Sequence, residues 1–231
     1  MKTKIITIIV LCMCFIILGA FILRVRSYAD SLQASNQPNV PVQTSPSSNE
    51  GDSDGDGIPD IAEKTLGTHP YISDTDGDGV GDLQDEDPTF LENPIKNTAD
   101  QEGFQIVEAL VENNEDPVTK MATDDHLELT LKNTSGKDLS DFELYYTITD
   151  LTTNQKEAYY EKLSGFVLKS GDIKTIHFDN KNESDHFTEN INSMYRVNDD
   201  AKVFDITINA PNYKVVTVKI NKDAGGTEKA D

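Results

Sequence analysis

The chain has no tryptophan, and its two cysteines, Cys12 and Cys14, both lie in the first apolar run. The remainder therefore has no thiol chemistry, no disulfide framework and no cysteine-built zinc site. Basic residues are scarce, 20 Lys and Arg against 41 Asp and Glu in 231 residues, a net charge of −21. Sequence-independent binding to nucleic acid needs a basic face that displaces counterions, so nucleic acid is not a partner. Motifs of catalysis are missing too: there is no G-x-S-x-G, H-E-x-x-H, G-x-G-x-x-G or phosphate-binding loop. His126, His177 and His186 have acids nearby in sequence, which an acid-rich chain produces by chance, and they read as surface histidines. The expectation is a non-enzymatic protein with a solvated acidic surface or cations as partners.

Residues 5–23, IITIIVLCMCFIILGAFIL, carry no charge. As a helix they span ~28 Å, close to the hydrocarbon core of a bilayer. Lys2 and Lys4 precede the run and Arg24 and Arg26 follow it, so loop charge barely decides orientation. The run exceeds the usual apolar length of a cleaved signal peptide. Residues 1–26 are therefore expected to be an uncleaved membrane anchor, the alternative being cleavage near Ala29 and secretion. Residues 27–50 are rich in Ser, Asn, Gln and Pro with almost no large apolar side chain, and read as a disordered tether.

The charge then concentrates. Residues 51–90 hold twelve acids and one base, Lys64, so forty residues carry about half of the imbalance. Their order has a pattern. Residues 52–63 read DSDGDGIPDIAE and match the calcium-loop template D-x-[DN]-x-[DN]-G-x5-E. Asp52, Asp54 and Asp56 take positions 1, 3 and 5, Ile58 offers its carbonyl at 7, Asp60 stands at 9 and Glu63 at 12. Calcium is a hard cation that takes six to eight oxygens, and alternate carboxylates around a glycine turn wrap it. Twenty-two residues on, residues 74–85 read DTDGDGVGDLQD, placing Asp74, Asp76, Asp78, Val80, Asp82 and Asp85 at the same positions. Asp85 is a methylene shorter than Glu63, so a weaker or differently closed second site is expected. A merely solvated acidic run explains the composition, but neither the glycine positions nor the repeat.

These residues, with Gly67-Thr68-His69-Pro70 between them, resemble the bacterial thrombospondin type 3 repeat. The resemblance covers about residues 52–88 and implies a calcium-clad segment in secreted or surface proteins, often a spacer beside another domain. The family typically has Asp where this chain has His69. EF-hands and dockerins have related loops but longer flanking helices, whereas here Gly67 and Pro70 stop the first helix early. Extracellular calcium modules often bind at about 10⁻⁴–10⁻³ M, which favours the C-terminal part lying outside the cell.

From about residue 100 the pattern becomes alternating. Leu127, Leu129 and Leu131 share one strand face, as do Phe142, Leu144, Tyr146 and Ile148, then Phe204, Ile206 and Ile208, then Val216, Val218 and Ile220. Runs at 104–111, 158–163 and 173–178 bring the total to about seven strands. Residues 100–224 are expected to form an immunoglobulin-like antiparallel β-sandwich, with 225–231 as a tail. Residues 181–198 read as a long polar loop with room for a short helix, a candidate binding surface. Tyr145, Tyr146, Tyr159 and Tyr160 are candidates for an aromatic strip, although adjacent residues on a strand face opposite ways and half should be core. The whole chain reads as mainly β, with a transmembrane helix, a small calcium-loop segment and a sandwich that meets an unidentified protein or glycan. The alternative is a secreted adhesin or carbohydrate-binding accessory module.

Overall fold

Alternation along the C-terminal half produces two sheets. The structure, a computed structural model, describes residues 51–112 and 126–225. The apolar run 5–23, the linker 27–50 and nearly all of the tail lie outside the described residues. Among the described residues, no helix is long and apolar enough to cross a membrane.

One sheet has the order β1-β2-β5-β6 and the other β4-β3-β7-β8. The strands are β1 (Phe104–Glu112), β2 (His126–Asn133), β3 (Glu143–Asp150), β4 (Lys156–Lys162), β5 (Ile173–Phe178), β6 (His186–Phe187), β7 (Lys202–Asn209) and β8 (Val216–Lys222). The inward residues are the ones the alternation picks out. Leu129, Leu131, Ile176 and Phe178 from the first sheet meet Leu144, Ile148, Phe204, Ile206 and Ile208 from the second, all at most 1 % exposed. Phe142 packs edge-on against both Phe104 and Phe166 at the end of this layer. Burial of such side chains stabilises a fold by about 1.5–3 kcal/mol each.

Three expectations need correction. The sandwich is not wholly antiparallel, because β6 runs parallel to β5, pairing His186 with His177 and Phe187 with Phe178. Residues 181–198 are not one open loop. The short helix that the reading allowed is there, α2 (Met194–Val197), but the segment also contains β6, and Met194, Tyr195, Glu189 and Asn190 are buried. The tyrosines form no exposed strip: Tyr145, Tyr146 and Tyr159 are buried and the Tyr160 hydroxyl donates to Glu143. Tyr146 and Tyr159 belong to the central core, while Tyr145 lies on the outer face. That face is itself covered, by Leu91 and Ile95, so strand parity does not leave its tyrosine in water.

Ahead of the sandwich stands α1 (Asp60–Leu66), only seven residues long. Its N-cap is Pro59 and its C-cap is Gly67, in the left-handed region. Its one buried residue is Glu63, while Ile61 and Leu66 are largely exposed. Apolar packing therefore does not hold this helix; its geometry aims a carboxylate inward. In the second loop the equivalent segment is a single 3-10 turn, Asp82–Gln84. The described residues form one compact unit.

Candidate metal centre

The two acidic loops repeat one hydrogen-bond pattern. Asp52 accepts from the Gly55 and Gly57 amides at 2.8 and 3.2 Å, and Asp74 accepts from Gly77 and Gly79 at 3.0 and 2.9 Å. At position 3, one oxygen of Asp54 and of Asp76 takes the amide two residues on. At position 5, Asp56 and Asp78 do the same with Ile58 and Val80, both at 2.7 Å. These local bonds fix each carboxylate and leave acceptor capacity over, lone pairs on both oxygens of Asp52 and Asp74 and a second oxygen on Asp54, Asp56, Asp76 and Asp78, since an ionised carboxylate has about four acceptor sites.

The carboxylates of each loop converge. Asp52, Asp54 and Asp56 place one ligand atom each within 4.8 Å of one another, and so do Asp74, Asp76 and Asp78. Asp54 Oδ2, Asp56 Oδ2, Glu63 Oε2 and Asp76 Oδ2 are buried without a hydrogen-bond partner. An ionised oxygen in that condition is costly unless a cation neutralises it. Glu63 is fully buried and Asp76 is 1 % exposed. Burial pushes the Glu63 carboxyl up to about 7, helped by Asp54, Asp56, Asp60 and, from the second loop, Asp82. Burial likewise raises Asp76 to about 7, with Asp78, Asp85 and Asp74 adding to the effect against a bond from the Asp78 amide.

The residues at positions 7, 9 and 12 are placed differently from the triads. Ile58 is buried and Val80 exposed, and their amides bind back to Asp56 and Asp78. Asp60 accepts from the Ser53 amide and hydroxyl, both at 2.8 Å. Asp82 accepts from the Thr75 amide and hydroxyl, at 2.8 and 2.7 Å. Position 9 thus clasps position 2 in both loops. Sequence reasoning passed over Ser53 and Thr75, although a hydroxyl recurs at the same place in both repeats. Glu63 lies within α1, outside the group of converging ligand atoms, and its Oε1 accepts from the Thr68 hydroxyl at 3.5 Å; Asp85 is half-buried and accepts from the Asp87 amide.

His69 sits between the loops, buried, as a turn residue. Its carbonyl accepts from Ile72 and its Nδ1 accepts from the Tyr71 amide. A neutral ring that accepts at Nδ1 carries its proton at Nε2, so that nitrogen is not a metal ligand. Burial holds the His69 pKa below its usual value. The donor set of each triad is therefore carboxylate alone, which suits a hard cation such as calcium and not zinc or copper.

Elsewhere, Lys202 is fully buried at the foot of β7 and donates to both Asn198 oxygens and to the Asp200 carbonyl. With three donors engaged it is a structural tie.

No protein-family model matches the chain, and no curated protein matches it. Among solved structures, β-glucuronidase 2 of Bacteroides uniformis, covalently bound to cyclophellitol-6-carboxylate aziridine, overlays with a TM-score of 0.29 at 12 % identity. A calcium-binding mutant of that enzyme gives 0.30 at 12 % identity. Both overlays cover 54 % of this chain and 13 % of the enzyme. A β-glucosidase involved in saponin metabolism from intestinal bacteria gives 0.27 at 16 % identity, over 51 % of this chain and 16 % of its own. This chain spans less than a fifth of those proteins, and overlays with such scores carry no argument.

Proposed function

We propose that the protein is a non-enzymatic calcium-binding surface protein, in which the tandem loops are ordered by calcium and present an immunoglobulin-like sandwich to a protein or glycan partner. One observation carries the reading: the buried oxygens of Asp54, Asp56, Glu63 and Asp76 have no partner, and three converging carboxylates stand in each loop. Without a cation these groups repel one another. With one, repulsion becomes attraction and binding energy becomes folding energy. The strand order supports the finer reading of the sandwich: β1-β2-β5 opposite β4-β3-β7-β8 corresponds to strands A, B, E and C′, C, F, G of immunoglobulin-like sandwiches. The loop pattern agrees with the thrombospondin type 3 resemblance. The uncharged run 5–23 supports anchorage in the cell membrane with the C-terminal part outside.

Calorimetric titration of the full chain in mild detergent, with melting curves in calcium and in chelator, tests this. Saturable binding and a higher melting point in calcium are expected. At free calcium 100 times the dissociation constant, each site adds about 2.7 kcal/mol. Asp54→Ala with Asp76→Ala should abolish both effects. No heat and unchanged melting would overturn the reading.

A further inference from the structure

The repeat is fastened to the sandwich through its main-chain oxygens. The Tyr160 amide of β4 donates to the Asp76 carbonyl at 2.8 Å and the Ala158 amide donates to the Thr89 carbonyl at 2.9 Å. β4 is the outer strand of its sheet. Alternate amides pointing away from the sheet are what an edge strand leaves unpaired, and such an edge invites pairing with another chain. The repeat fills that edge. Beside it, Asn190 Nδ2 donates to the Gly67 carbonyl at 2.6 Å and Asn192 Nδ2 to the Thr68 carbonyl at 2.8 Å. Asn190 Nδ2 also reaches the Tyr159 hydroxyl, which donates to Glu157, and Glu157 accepts the Met194 amide. A buried polar chain therefore runs from the repeat into the core.

The loops differ at this seam. Asp76 serves two masters: its carboxylate belongs to the second triad and its carbonyl holds the β4 amide. In the first loop, the main-chain to main-chain bonds of described residues 51–66 stay local. Gly55 and Gly77 occupy the same loop position with φ of 80° and 82°. A Cβ on Gly77 would stand 2.2 Å from the Tyr160 carbonyl oxygen, whereas on Gly55 it would meet nothing within 4 Å.

We propose that calcium in the second loop closes the β4 edge of the sandwich, and that its removal opens that edge. The inference rests on the calcium reading above. In the metal-free loop the carboxylates of Asp74, Asp76 and Asp78 repel one another and work against the position of Asp76 that the β4 amide requires. A cation removes the repulsion, so loading and edge closure favour each other. Coupling of this kind is reciprocal: whatever calcium does for the edge, the edge does for calcium affinity.

The experiment uses the full chain in detergent, with Gly77→Ala, Gly55→Ala and the pair Asn190→Ala with Asn192→Ala. Calorimetry reads calcium affinity, and amide hydrogen exchange reads Ala158 and Tyr160 in calcium and in chelator. Calcium should slow exchange of both amides about tenfold or more, within the usual range of coupling. Gly77→Ala should lose that protection and weaken the second site about tenfold by the same reciprocity. Gly55→Ala carries the same positive-φ strain without the clash and should leave the two amides protected. The asparagine pair, which bonds the Gly67 and Thr68 carbonyls and no triad carboxylate, should also weaken calcium binding, which keeps the test standing if Gly77→Ala does not fold. Calcium heat with unchanged exchange at Ala158 and Tyr160 would overturn the coupling and leave the calcium reading intact. No calcium heat in the unaltered chain would overturn both.

Discussion

The repeat and the sandwich are neighbours built by opposite means. Between residues 51 and 90 the buried side chains include Glu63, Thr68, His69, Asp76 and Asp82, with Ile58 and Pro70 as apolar company. The sandwich buries leucine, isoleucine and phenylalanine from both sheets. Removing methyl groups from water is favourable under any ionic condition. Removing carboxylates from water is not, and becomes so only when a cation or a proton shares the site. On the calcium reading proposed above, the sandwich holds under any ionic condition and the repeat only with a cation or a proton, and the two meet at a seam of Glu157, Asn190 and the β4 edge.

The widest separation of the two regions comes from a core truncation. Leu129 is fully buried between the sheets. Leu129→Ala should cost about 2–5 kcal/mol, the range for cavities left in apolar cores. The loss should be equal in calcium and in chelator, read from denaturant midpoints under both conditions. A loss that vanished in calcium would show that the metal, and not the methyl groups, carries the sandwich.

A smaller effect lies at the seam. Glu157 is buried, and burial pushes its carboxyl up to about 7, against bonds from Met194 and Tyr159 that favour the charged form. The folded state thus keeps a proton that the unfolded state releases near the ordinary glutamate value of 4.5. Stability from this group is whole below about 4.5 and is lost as pH rises toward about 7. Glu157→Gln cannot ionise and should flatten that part of the profile. The difference between unaltered chain and variant should change by at most about 3 kcal/mol between the two limits. Urea midpoints at stepped pH in chelator measure it. Parallel profiles would mean that the seam does not feel the proton.

What could be read from the sequence divides along the same line. The candidate ligands lie within twelve residues of one another in each loop, and the spacing picked out Asp52, Asp54 and Asp56, and Asp74, Asp76 and Asp78, as groups whose carboxylates converge. Leu127, Leu129 and Leu131 declared their common face by period two, and every strand except β6 follows from such runs. The failures have two causes. Nothing local marks Asn190 as the partner of Gly67, which lies 123 residues away, and β6, though it follows β5 closely, is two residues long and too short to show a period. Tyr145 looked outward by parity, and became buried because residues 91 and 95 return to cover it. Position 2 of each loop was overlooked because the calcium template leaves it free, while the fold uses it.

That overlooked position gives the finest test, because the same bond is made in wetter and in drier surroundings. Ser53 is exposed and its hydroxyl binds Asp60 at 2.8 Å. Thr75 is half-buried; its hydroxyl donates to the buried Asp82 at 2.7 Å and accepts the His69 amide at 2.8 Å. Ser53→Ala leaves an oxygen that water can reach, so its cost should stay near 0.5 kcal/mol, the low end for a net hydrogen bond. Thr75→Val keeps the shape but strands a buried carboxylate oxygen and a buried amide, and each stranded group costs about 1–3 kcal/mol. Melting in calcium should therefore fall clearly for Thr75→Val and scarcely for Ser53→Ala, with calcium affinity weakened mainly at the second site. Equal losses from the two substitutions would mean that loop closure itself, repeated identically in both loops, sets the energy and that burial against the sandwich adds nothing. Unequal losses would place the second loop on the sandwich's side of the comparison, a carboxylate device whose strength is set by the dry surface it rests on.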